Sequence, residues 1–483
     1  MNPPTPVTPL RPRGASARQK VRPPGTTNDD VADSFYAAHK KVYPREATGK
    51  FARLRVLSGW LLLGAYYSAA WFQWDGRQAL LFDLPARKFY VLGLVLWPQD
   101  FIFLTALLII AALTLFFFTA LAGRLWCGYA CPQTVWTESF LWMEKLAEGE
   151  RNRRIKLDSG PWTREKLLRK SAKHGLWLAF SVWTGFTFVG YFTPIRTLAS
   201  EVTSLSLGPW ETFWILFYSL ATYGNAGFLR EQVCKYMCPY ARFQGAMFDR
   251  DTLIITYDQR RGEPRGSRKR GAVPAELGLG ECIDCNQCVQ VCPTGIDIRK
   301  GLQYECIACA ACIDVCDGVM DAMSYPRGLI RYSTQHALEN QRTRIVRPRV
   351  IIYASLLLIL MGAFGVGLYL REPVAIDVIR DRNALYRMLE DGRVENVYDL
   401  KILNKTETAH RFRIEVQGPG ELTIDPQPAV FQVRSGEVFP AGIRVRRPAY
   451  EPLGSETVRF TVRAQDDPKL RASSSARFLA PRK

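Results

Sequence analysis

Histidine is scarce in this sequence of 483 residues, which contains only four. A b-type haem inside a bilayer needs two histidines there, and only His174 lies beside a long apolar run. The sequence also shows no phosphate-binding glycine loop, no flavin motif and no arrangement of residues typical of a nucleophilic enzyme. A membrane haem carrier, a nucleotide-dependent enzyme and a hydrolase are therefore disfavoured.

Charged residues are missing from five long stretches of the chain. Each stretch approaches the length of helix that crosses the hydrocarbon core of a bilayer, about 20 residues. A buried core helix explains one such run better than it explains five. The sequence therefore predicts five transmembrane helices in the runs Val56–Trp74, Phe101–Gly123, Gly175–Ile195, Thr212–Leu229 and Val350–Leu370.

Basic residues alternate between the connections, and this alternation predicts the orientation. The chain before Val56 carries 11 Lys and Arg, the connection 75–100 carries 3, the connection 124–174 carries 11, and 196–211 carries 1. Because basic loops stay in the cytoplasm, we expect a multi-pass protein of the bacterial inner membrane with a cytoplasmic N-terminus. The formal net charge of +19 is then explained by topology, and nucleic-acid binding is not expected.

Cysteine is absent from residues 371–483, although the chain has twelve. All twelve fall on the predicted cytoplasmic side, which is the opposite of a secreted disulfide framework. The cysteine-free part contains short β-rich runs separated by Gly, Pro, Asn and Asp. It predicts an external, periplasmic immunoglobulin-like β-sandwich with strands at Val397–Leu403, Arg411–Gln417, Ala429–Val433, Val438–Val445 and Thr457–Ala464.

Eight cysteines form two runs with the spacing of bacterial two-cluster ferredoxins. In such proteins the fourth ligand of each cluster comes from the other run, so two [4Fe–4S] clusters are expected as cofactors. Zinc is disfavoured, because its structural sites use separated pairs of ligands. The predicted ligands of the first cluster are Cys282, Cys285, Cys288 and Cys316, and those of the second are Cys306, Cys309, Cys312 and Cys292.

The other four cysteines form two copies of a Cys-x3-Cys-Pro pattern, each after a pair of apolar runs. Cys127 and Cys131 make the first copy, and Cys234 and Cys238 make the second. Residues at i and i+4 share a helix face, and the repeat predicts that the two pairs converge. Four thiolates are suited to copper, to a further Fe–S centre or to a dithiol–disulfide pair. A pair of small buried residues is the alternative without function.

Two more residues are weaker candidates, His174 at the edge of an apolar run and Glu138 near the first cysteine pair. His174 is a possible copper ligand or quinone contact, although a solvated interfacial histidine explains it better. Glu138 is a possible ligand or proton relay, although a solvated carboxylate on a helix face explains it better.

The predicted organisation is an α-helical membrane protein with an inserted ferredoxin-like domain and a C-terminal β-sandwich. The expected segments are a disordered basic tail at 1–50, two repeated transmembrane hairpins at 51–257, a flexible basic linker at 258–280, a two-cluster ferredoxin domain at 281–330, a fifth transmembrane helix at 348–371 and the external domain at 372–483.

Several stretches resemble the FixG/CcoG/RdxA family of membrane polyferredoxins. They are "GRLWCGYACPQTVWTE", "CKYMCPYARFQGAMFDRDTLIITYDQRRGEPRG", the doubled cysteine motif, "YPRGLIRY" and "NVYDLKILNKT", and the resemblance runs from about residue 35 to the end. Members of this family are accessory proteins for the assembly of cbb-type cytochrome c oxidase.

The resemblance implies that the protein reduces Cu(II) to Cu(I) for the haem–copper centre of that oxidase. Cys127, Cys131, Cys234 and Cys238 would then be the catalytic, copper or redox site. The implied partners are oxidase subunits, or copper chaperones and transporters of its assembly, with an electron donor that the sequence does not identify. The alternatives are quinol-linked electron transfer to another acceptor and a non-redox assembly scaffold.

Overall fold

The computed structural model describes residues 41–381, 384–448 and 455–481. Most of the basic tail expected at 1–50, including His39, lies outside the described residues. The chain forms two compact units. The first contains residues up to 81 together with 112–355, and the second contains residues 82–111 together with the chain from 356 onward.

The first unit is mainly helical, and two helices run on into the second unit. In chain order the helices are α1 (Lys50–Ala69), α2 (Phe101–Ala122), α3 (Leu125–Tyr129), α4 (Pro132–Glu148), α5 (Arg151–Ser159), α6 (Arg164–Val189), α7 (Ile195–Thr203), α8 (Pro209–Thr222), α9 (Pro239–Met247), α10 (Gln259–Gly262), α11 (Gln287–Gln290), α12 (Ala311–Met323), α13 (Gln335–Leu338) and α14 (Pro348–Tyr369), with π-helical turns at Tyr223–Leu229 and Val233–Met237 and 3₁₀ turns at Pro98–Asp100, Pro274–Leu277 and Ile298–Lys300.

By length and composition, two helices in the described part of the chain are able to cross a membrane, Pro98–Ala122 and Pro348–Tyr369. The helices at the other three expected spans end before their apolar runs do, at Ala69, Val189 and Thr222. After Ala69, Asp75 and Gly76 form a tight turn with positive φ that pairs Gln73–Trp74 with Arg77–Gln78. The α8 helix changes to a π-helical turn after Thr222. The five-span architecture therefore stays a prediction.

The ferredoxin module is inserted between two strands that pair with each other. Strands β6 (Ile254–Tyr257) and β7 (Ile330–Ser333) are antiparallel, with Tyr257 opposite Ile330. The two ends of the inserted module are therefore held side by side, and the module packs against this pair of strands.

The segment 258–280 was expected to be a flexible linker, and it makes specific hydrogen bonds to the module. Tyr325 donates to the carbonyl of Ala272 (2.7 Å), and the amide of Gly266 donates to the carbonyl of Cys282 (3.2 Å). The guanidinium of Arg268 donates to the Tyr325 hydroxyl. The segment is thus a wall of the module and not a free connection.

The second unit is built from β-strands whose apolar residues alternate with polar ones. Its two main sheets have the strand orders β12-β14-β10-β8, with β9 beside β10, and β13-β11-β15-β16. Tyr398 and Phe460 are fully buried, and their rings meet at 4.8 Å in the core between the sheets. The strands are β8 (Val374–Arg380), β9 (Arg387–Met388), β10 (Arg393–Asn404), β11 (His410–Gln417), β12 (Thr423–Asp425), β13 (Val430–Val433), β14 (Val438–Pro448), β15 (Ser455–Ala464) and β16 (Arg471–Leu479).

A small three-stranded sheet precedes α2 and was not expected from the sequence. It consists of β3 (Leu80–Asp83), β4 (Lys88–Val91) and β5 (Leu94–Leu96). Just after it, the buried carboxylate of Asp100 contacts Arg371 (2.7 Å) and Lys405 (3.1 Å). The start of α2 and the end of α14 are therefore both tied to the β-sandwich.

Candidate iron–sulfur and cysteine site

The two cysteine runs of the module repeat one backbone conformation. Asp284 and Asn286 in the first run have positive φ, and so do Ala308 and Ala310 at the equivalent places in the second. For alanine this conformation costs energy, of order 1 kcal/mol per residue. Alternating right- and left-handed residues turn successive amide N–H groups toward one centre, which binds an anionic group.

The cysteines of the first predicted cluster surround one small cavity. Its other walls include Tyr257, Arg299 and Met320. The lining cysteines are Cys282, Cys285, Cys288 and Cys316, the set expected from the spacing. The ligand from the second run thus lies with the three from the first.

The cysteines of the second predicted cluster surround a separate small cavity. Its walls also include Cys288, Pro293 and Thr294. The predicted ligands that line it are Cys292, Cys306, Cys309 and Cys312. Because Cys288 borders both cavities, the two sites are neighbours, which is the arrangement that electron exchange between two clusters requires.

Burial makes these thiols hard to ionise without a nearby positive charge. Desolvation raises the pKa of Cys288 to about 11 and that of Cys306 to about 12. The amides of Ala308 and Ala311 donate hydrogen bonds to Cys306 and Cys309 and lower their pKa in part. Iron ions supply the missing positive charge, so the thiol set and the N–H donors fit [4Fe–4S] clusters.

In the described residues, no three His, Cys, Asp or Glu side chains converge tightly enough to hold a single metal ion. The same finding covers the four cysteines of the Cys-x3-Cys-Pro pairs. The assignment of copper to them therefore rests on the resemblance.

The prediction that each Cys-x3-Cys-Pro pair lies on one helix face is wrong. Cys127 lies within α3, but Cys131 has extended backbone and is the N-cap of α4. Cys238 is likewise the extended N-cap of α9, after the π-helical turn that holds Cys234. A proline excludes helical backbone at the residue before it and favours the first helical position, so each pair bridges a helix break.

The four cysteines of these pairs, here called the four-cysteine group, lie close together despite the breaks. Cys131, Cys127 and Cys238 each raise the pKa of Cys234 electrostatically, after desolvation, to about 12. The thiol of Cys127 contacts the side-chain oxygen of Gln244 on α9 (3.2 Å). The two pairs are therefore near each other, although no three of the four cysteines are placed to hold a single metal ion.

The four-cysteine group also packs against the second cluster loop. Cys127 and Cys234 contact the buried core that contains Cys309 and Cys312. A side-chain carbon on Gly128 would lie 2.8 Å from the Cα of Cys309. Only glycine allows this approach, so the first Cys-x3-Cys-Pro segment touches the backbone that carries a predicted ligand.

The module is also attached to α1. Asp314 on α12 accepts hydrogen bonds from the first amides of α1, at Phe51 (3.1 Å) and Ala52 (2.7 Å). A carboxylate at a helix N-terminus satisfies free N–H groups and complements the helix dipole. Arg55, one turn further, donates to the carbonyl of Cys309 and to Glu138 (2.8 Å).

Arg124 lies between the four-cysteine group and the second cluster cavity, and the sequence analysis missed it. It is buried and donates to the carbonyls of Tyr304 and Ala241, and its Nε has no hydrogen-bond partner. Desolvation raises the pKa of Cys127, Cys234 and Cys306, and the charge of Arg124 offsets part of that rise. It sits three residues before Cys127, but nothing in that spacing distinguishes it from other basic residues at the end of a helix.

We expect the Arg124→Gln variant to lower the reduction potential of the second cluster. A buried cation stabilises the added electron, and an effect on the order of 1–2 kcal/mol corresponds to roughly 40–90 mV for a one-electron couple. The measurement is a potentiometric titration followed by electron paramagnetic resonance. Arg124→Lys keeps the charge and is the control. An unchanged potential in Arg124→Gln would show that the charge is screened.

The weaker candidates have different surroundings. His174 accepts or donates a hydrogen bond with the hydroxyl of Tyr223 (2.9 Å) and stacks on Phe228. It belongs to an aromatic cluster, and its described contacts include no cysteine. Glu138 pairs with Arg55 beside the second cluster loop. Desolvation raises the pKa of Glu138, and Arg55 opposes that rise.

Family models match three parts of the chain. Residues 229–335 match a "4Fe-4S dicluster domain", residues 104–148 match a "4Fe-4S binding domain", and residues 364–481 match a family described as "IG-like fold at C-terminal of FixG, putative oxidoreductase". These matches confirm the ferredoxin-type domain and the immunoglobulin-like C-terminal domain. The second match includes Cys127 and Cys131.

Three curated proteins are similar over most of the chain. Nitrogen fixation protein FixG of Rhizobium meliloti is 37% identical over 452 residues, covering 86% of this chain and 85% of its own length. Protein RdxB of Cereibacter sphaeroides is 42% identical, covering 83% and 86%, and Protein RdxA of the same organism is 41% identical, covering 81% and 85%. A crystal structure of a FixG-related protein from Vibrio parahaemolyticus is 27% identical over 23% of this chain and 97% of that chain, with a TM-score of 0.21.

Proposed function

Because the chain belongs to the FixG/RdxA family of iron–sulfur proteins, we propose that it reduces Cu(II) to Cu(I) for the haem–copper centre of a cbb-type cytochrome c oxidase. The observation that carries the proposal is the contact between the four-cysteine group and the second cluster loop. A thiolate site that favours Cu(I), placed next to a one-electron donor, suits the one-electron reduction of Cu(II), and these two elements touch.

Each group of residues has a separate role in the proposed reaction. The eight cysteines that line the two cavities hold the clusters, which when bound supply reversible one-electron storage. The four-cysteine group binds the copper substrate, and soft thiolates hold Cu(I) more tightly than Cu(II), which favours its reduction. Arg124 offsets negative charge between the two sites.

The proposed setting is the bacterial inner membrane, with five spans, a cytoplasmic N-terminus and a periplasmic C-terminal domain. The basic connections support this orientation. Asp100 and Arg371 support it too, since their ion pair holds the ends of the two candidate spans at the β-sandwich. The proposed partners are oxidase subunits, or copper chaperones and transporters of its assembly.

The first test mixes purified, anaerobically reduced protein with Cu(II) and a chelator specific for Cu(I). We expect Cu(I) to form in step with cluster oxidation. The Cys127→Ser/Cys131→Ser variant should lose Cu(I) formation by at least about tenfold while it keeps its clusters, because its copper ligands are gone. Clusters that stay reduced in the presence of Cu(II) would overturn the proposal.

The same variant distinguishes copper binding from an Fe–S centre at the four-cysteine group. If the wild type contains more iron than two clusters need, and the variant loses that extra iron, the four-cysteine group holds iron. This outcome would agree with the family match over residues 104–148. Unchanged iron with lost Cu(I) formation supports the copper assignment.

A further inference from the structure

A cavity of about 240 Å³ lies within the first unit, next to the second cluster loop. Its walls come from the start of α1, from α4 and from the loop at Ile307, Cys309 and Ala311. Cys234 of the four-cysteine group lines it as well. A molecule in this cavity, here called the α1/α4 cavity, would therefore contact both redox elements of the protein.

The inner end of the α1/α4 cavity is polar. Arg55 and Glu138 line it and are joined by an ion pair of 2.8 Å, and Arg55 also donates to the carbonyl of Cys309. Gln133 and Thr137 line the same part. The hydroxyl groups of a bound molecule could give a proton to Glu138 and form hydrogen bonds with Gln133 and Thr137. These residues line the same cavity as Cys309, a predicted cluster ligand.

Exposed apolar side chains line the cavity together with charged ones, among them Glu46, Lys145 and Glu150. Val56 on α1 and Trp142 on α4 line it, and their side chains are 56% and 65% exposed. The exposed apolar surface continues along α1 through Leu57 and Trp60. A contiguous exposed apolar surface marks contact with lipid or an apolar ligand, so the entrance suits a ligand that arrives from the membrane.

We propose that the α1/α4 cavity binds a lipid-soluble hydroquinone, which is the electron donor of this protein. The ring would lie against the Arg55–Glu138 pair and close to Cys309, with its apolar tail leaving past Val56 and Trp142. The inference rests on the electron-transfer part of the proposed function and not on copper as the acceptor.

A copper ion suits this cavity less well than a hydroquinone. The residues that line it include no histidine and no methionine. Cys309 belongs to the predicted second cluster, which leaves Cys234 and carboxylates, and Glu138 already pairs with Arg55. A concave site that combines apolar side chains with converging polar groups is typical of a site for a small organic molecule.

The reaction balances with the groups present. The hydroquinone loses two electrons and two protons and leaves as the quinone. Glu138 accepts one proton and water at the cavity mouth accepts the other, and burial, which raises the pKa of Glu138, suits it to this role. The two oxidised clusters take one electron each, through the loop that carries Cys309.

The test uses the reverse reaction, because the same site must serve both directions. Full-length protein is reduced with dithionite, freed of excess reductant and mixed without oxygen or copper with decylubiquinone. We expect cluster absorbance to recover at a rate that saturates with quinone concentration. Isothermal titration of the oxidised protein with decylubiquinone measures binding without turnover.

Two variants locate the site. Thr137→Phe fills the cavity, and we expect it to weaken quinone binding at least about tenfold. Glu138→Gln keeps the shape but cannot carry the proton, and we expect it to bind the quinone normally and to slow reoxidation by about tenfold or more. Glu165→Gln changes an exposed carboxylate outside the cavity and should match the wild type. Iron content confirms that each variant has its clusters.

Each outcome decides the proposal. Reoxidation that is linear in quinone and equal in all variants means collision at the surface and overturns it. Normal quinone binding in Thr137→Phe also overturns it. If Cu(II) oxidises the clusters and decylubiquinone does not, cupric reduction stands and the hydroquinone inference falls. If Thr137→Phe blocks oxidation by Cu(II) alone, the cavity is a path for copper and not for a hydroquinone.

Discussion

Cys285→Ser and Cys309→Ser are each expected to remove one cluster and about half of the bound iron. Each changes a cysteine that lines only one of the two cavities, and a serine oxygen is a poor replacement for a thiolate ligand of iron. Iron analysis and electron paramagnetic resonance of the reduced protein measure the loss. The two variants should show complementary spectra, whose sum is that of the wild type.

Each predicted cluster takes its fourth ligand from the other cysteine run, so two further variants test the assignment of ligands. Cys316→Ser should give the spectrum of Cys285→Ser, because both residues line the first cavity. Cys292→Ser should give the spectrum of Cys309→Ser, because both line the second. If Cys316→Ser instead matches Cys309→Ser, each run holds its own cluster and the assignment is wrong. Cys238→Ser, outside both cavities, is the control and should keep both signals.

Glu144→Gln is expected to lower the free energy of unfolding by about 3–5 kcal/mol, since it breaks a fully buried ion pair. Glu144 is 0% exposed and contacts Arg230 (2.8 Å) and Arg154 (3.2 Å). The variant would leave both guanidinium groups buried without a counter-charge. Thermal unfolding of the detergent-solubilised protein measures the effect.

The pH dependence of stability gives a second measurement on the same residue. Burial opposes ionisation, but Arg230 and Arg154 outweigh it and hold the pKa of Glu144 below its ordinary value. Because the folded pKa is the lower one, the stabilisation is complete above the ordinary value and is lost as the pH falls toward the folded value. Glu144→Gln should therefore flatten the acid side of the stability profile.

A surface carboxylate provides the control for this prediction. Glu165 pairs with Arg153 and Arg169, but its side chain is 63% exposed. Exposed ion pairs contribute little, at most about 1 kcal/mol. Equal loss of stability in Glu165→Gln and Glu144→Gln would contradict the view that burial makes the Glu144 pair important.

The strands of the C-terminal domain could be predicted where one face is buried. The predicted run Arg411–Gln417 differs from β11 by one residue, and Val438–Val445 lies within β14. Strand β16 was missed, because its "RASSSARFL" has small polar residues where apolar ones would alternate. The alternation of apolar and polar residues identifies a strand only when one face of that strand is buried.

Two predictions for the first unit, made from local sequence, differ from the structure. The spacing of Cys127 and Cys131 suggested one helix face, but Pro132 excludes helical backbone at Cys131. The segment 258–280 has the composition of a linker, yet Tyr325 and Arg268 attach it to the module. Composition describes the local preference of a segment, and it contains no information about which surface lies opposite.

The sequence by itself determined the number and spacing of the thiols, and hence the iron–sulfur chemistry, because three of the four predicted ligands of each cluster are close together in the chain. It also determined the apolar runs, the charge asymmetry between connections and the alternating strands. Only the tertiary structure placed Gly128 against Cys309, buried Arg124 between two thiol sites and formed the α1/α4 cavity. Those contacts join residues far apart in the chain, and their geometry follows from how the helices and the module pack together.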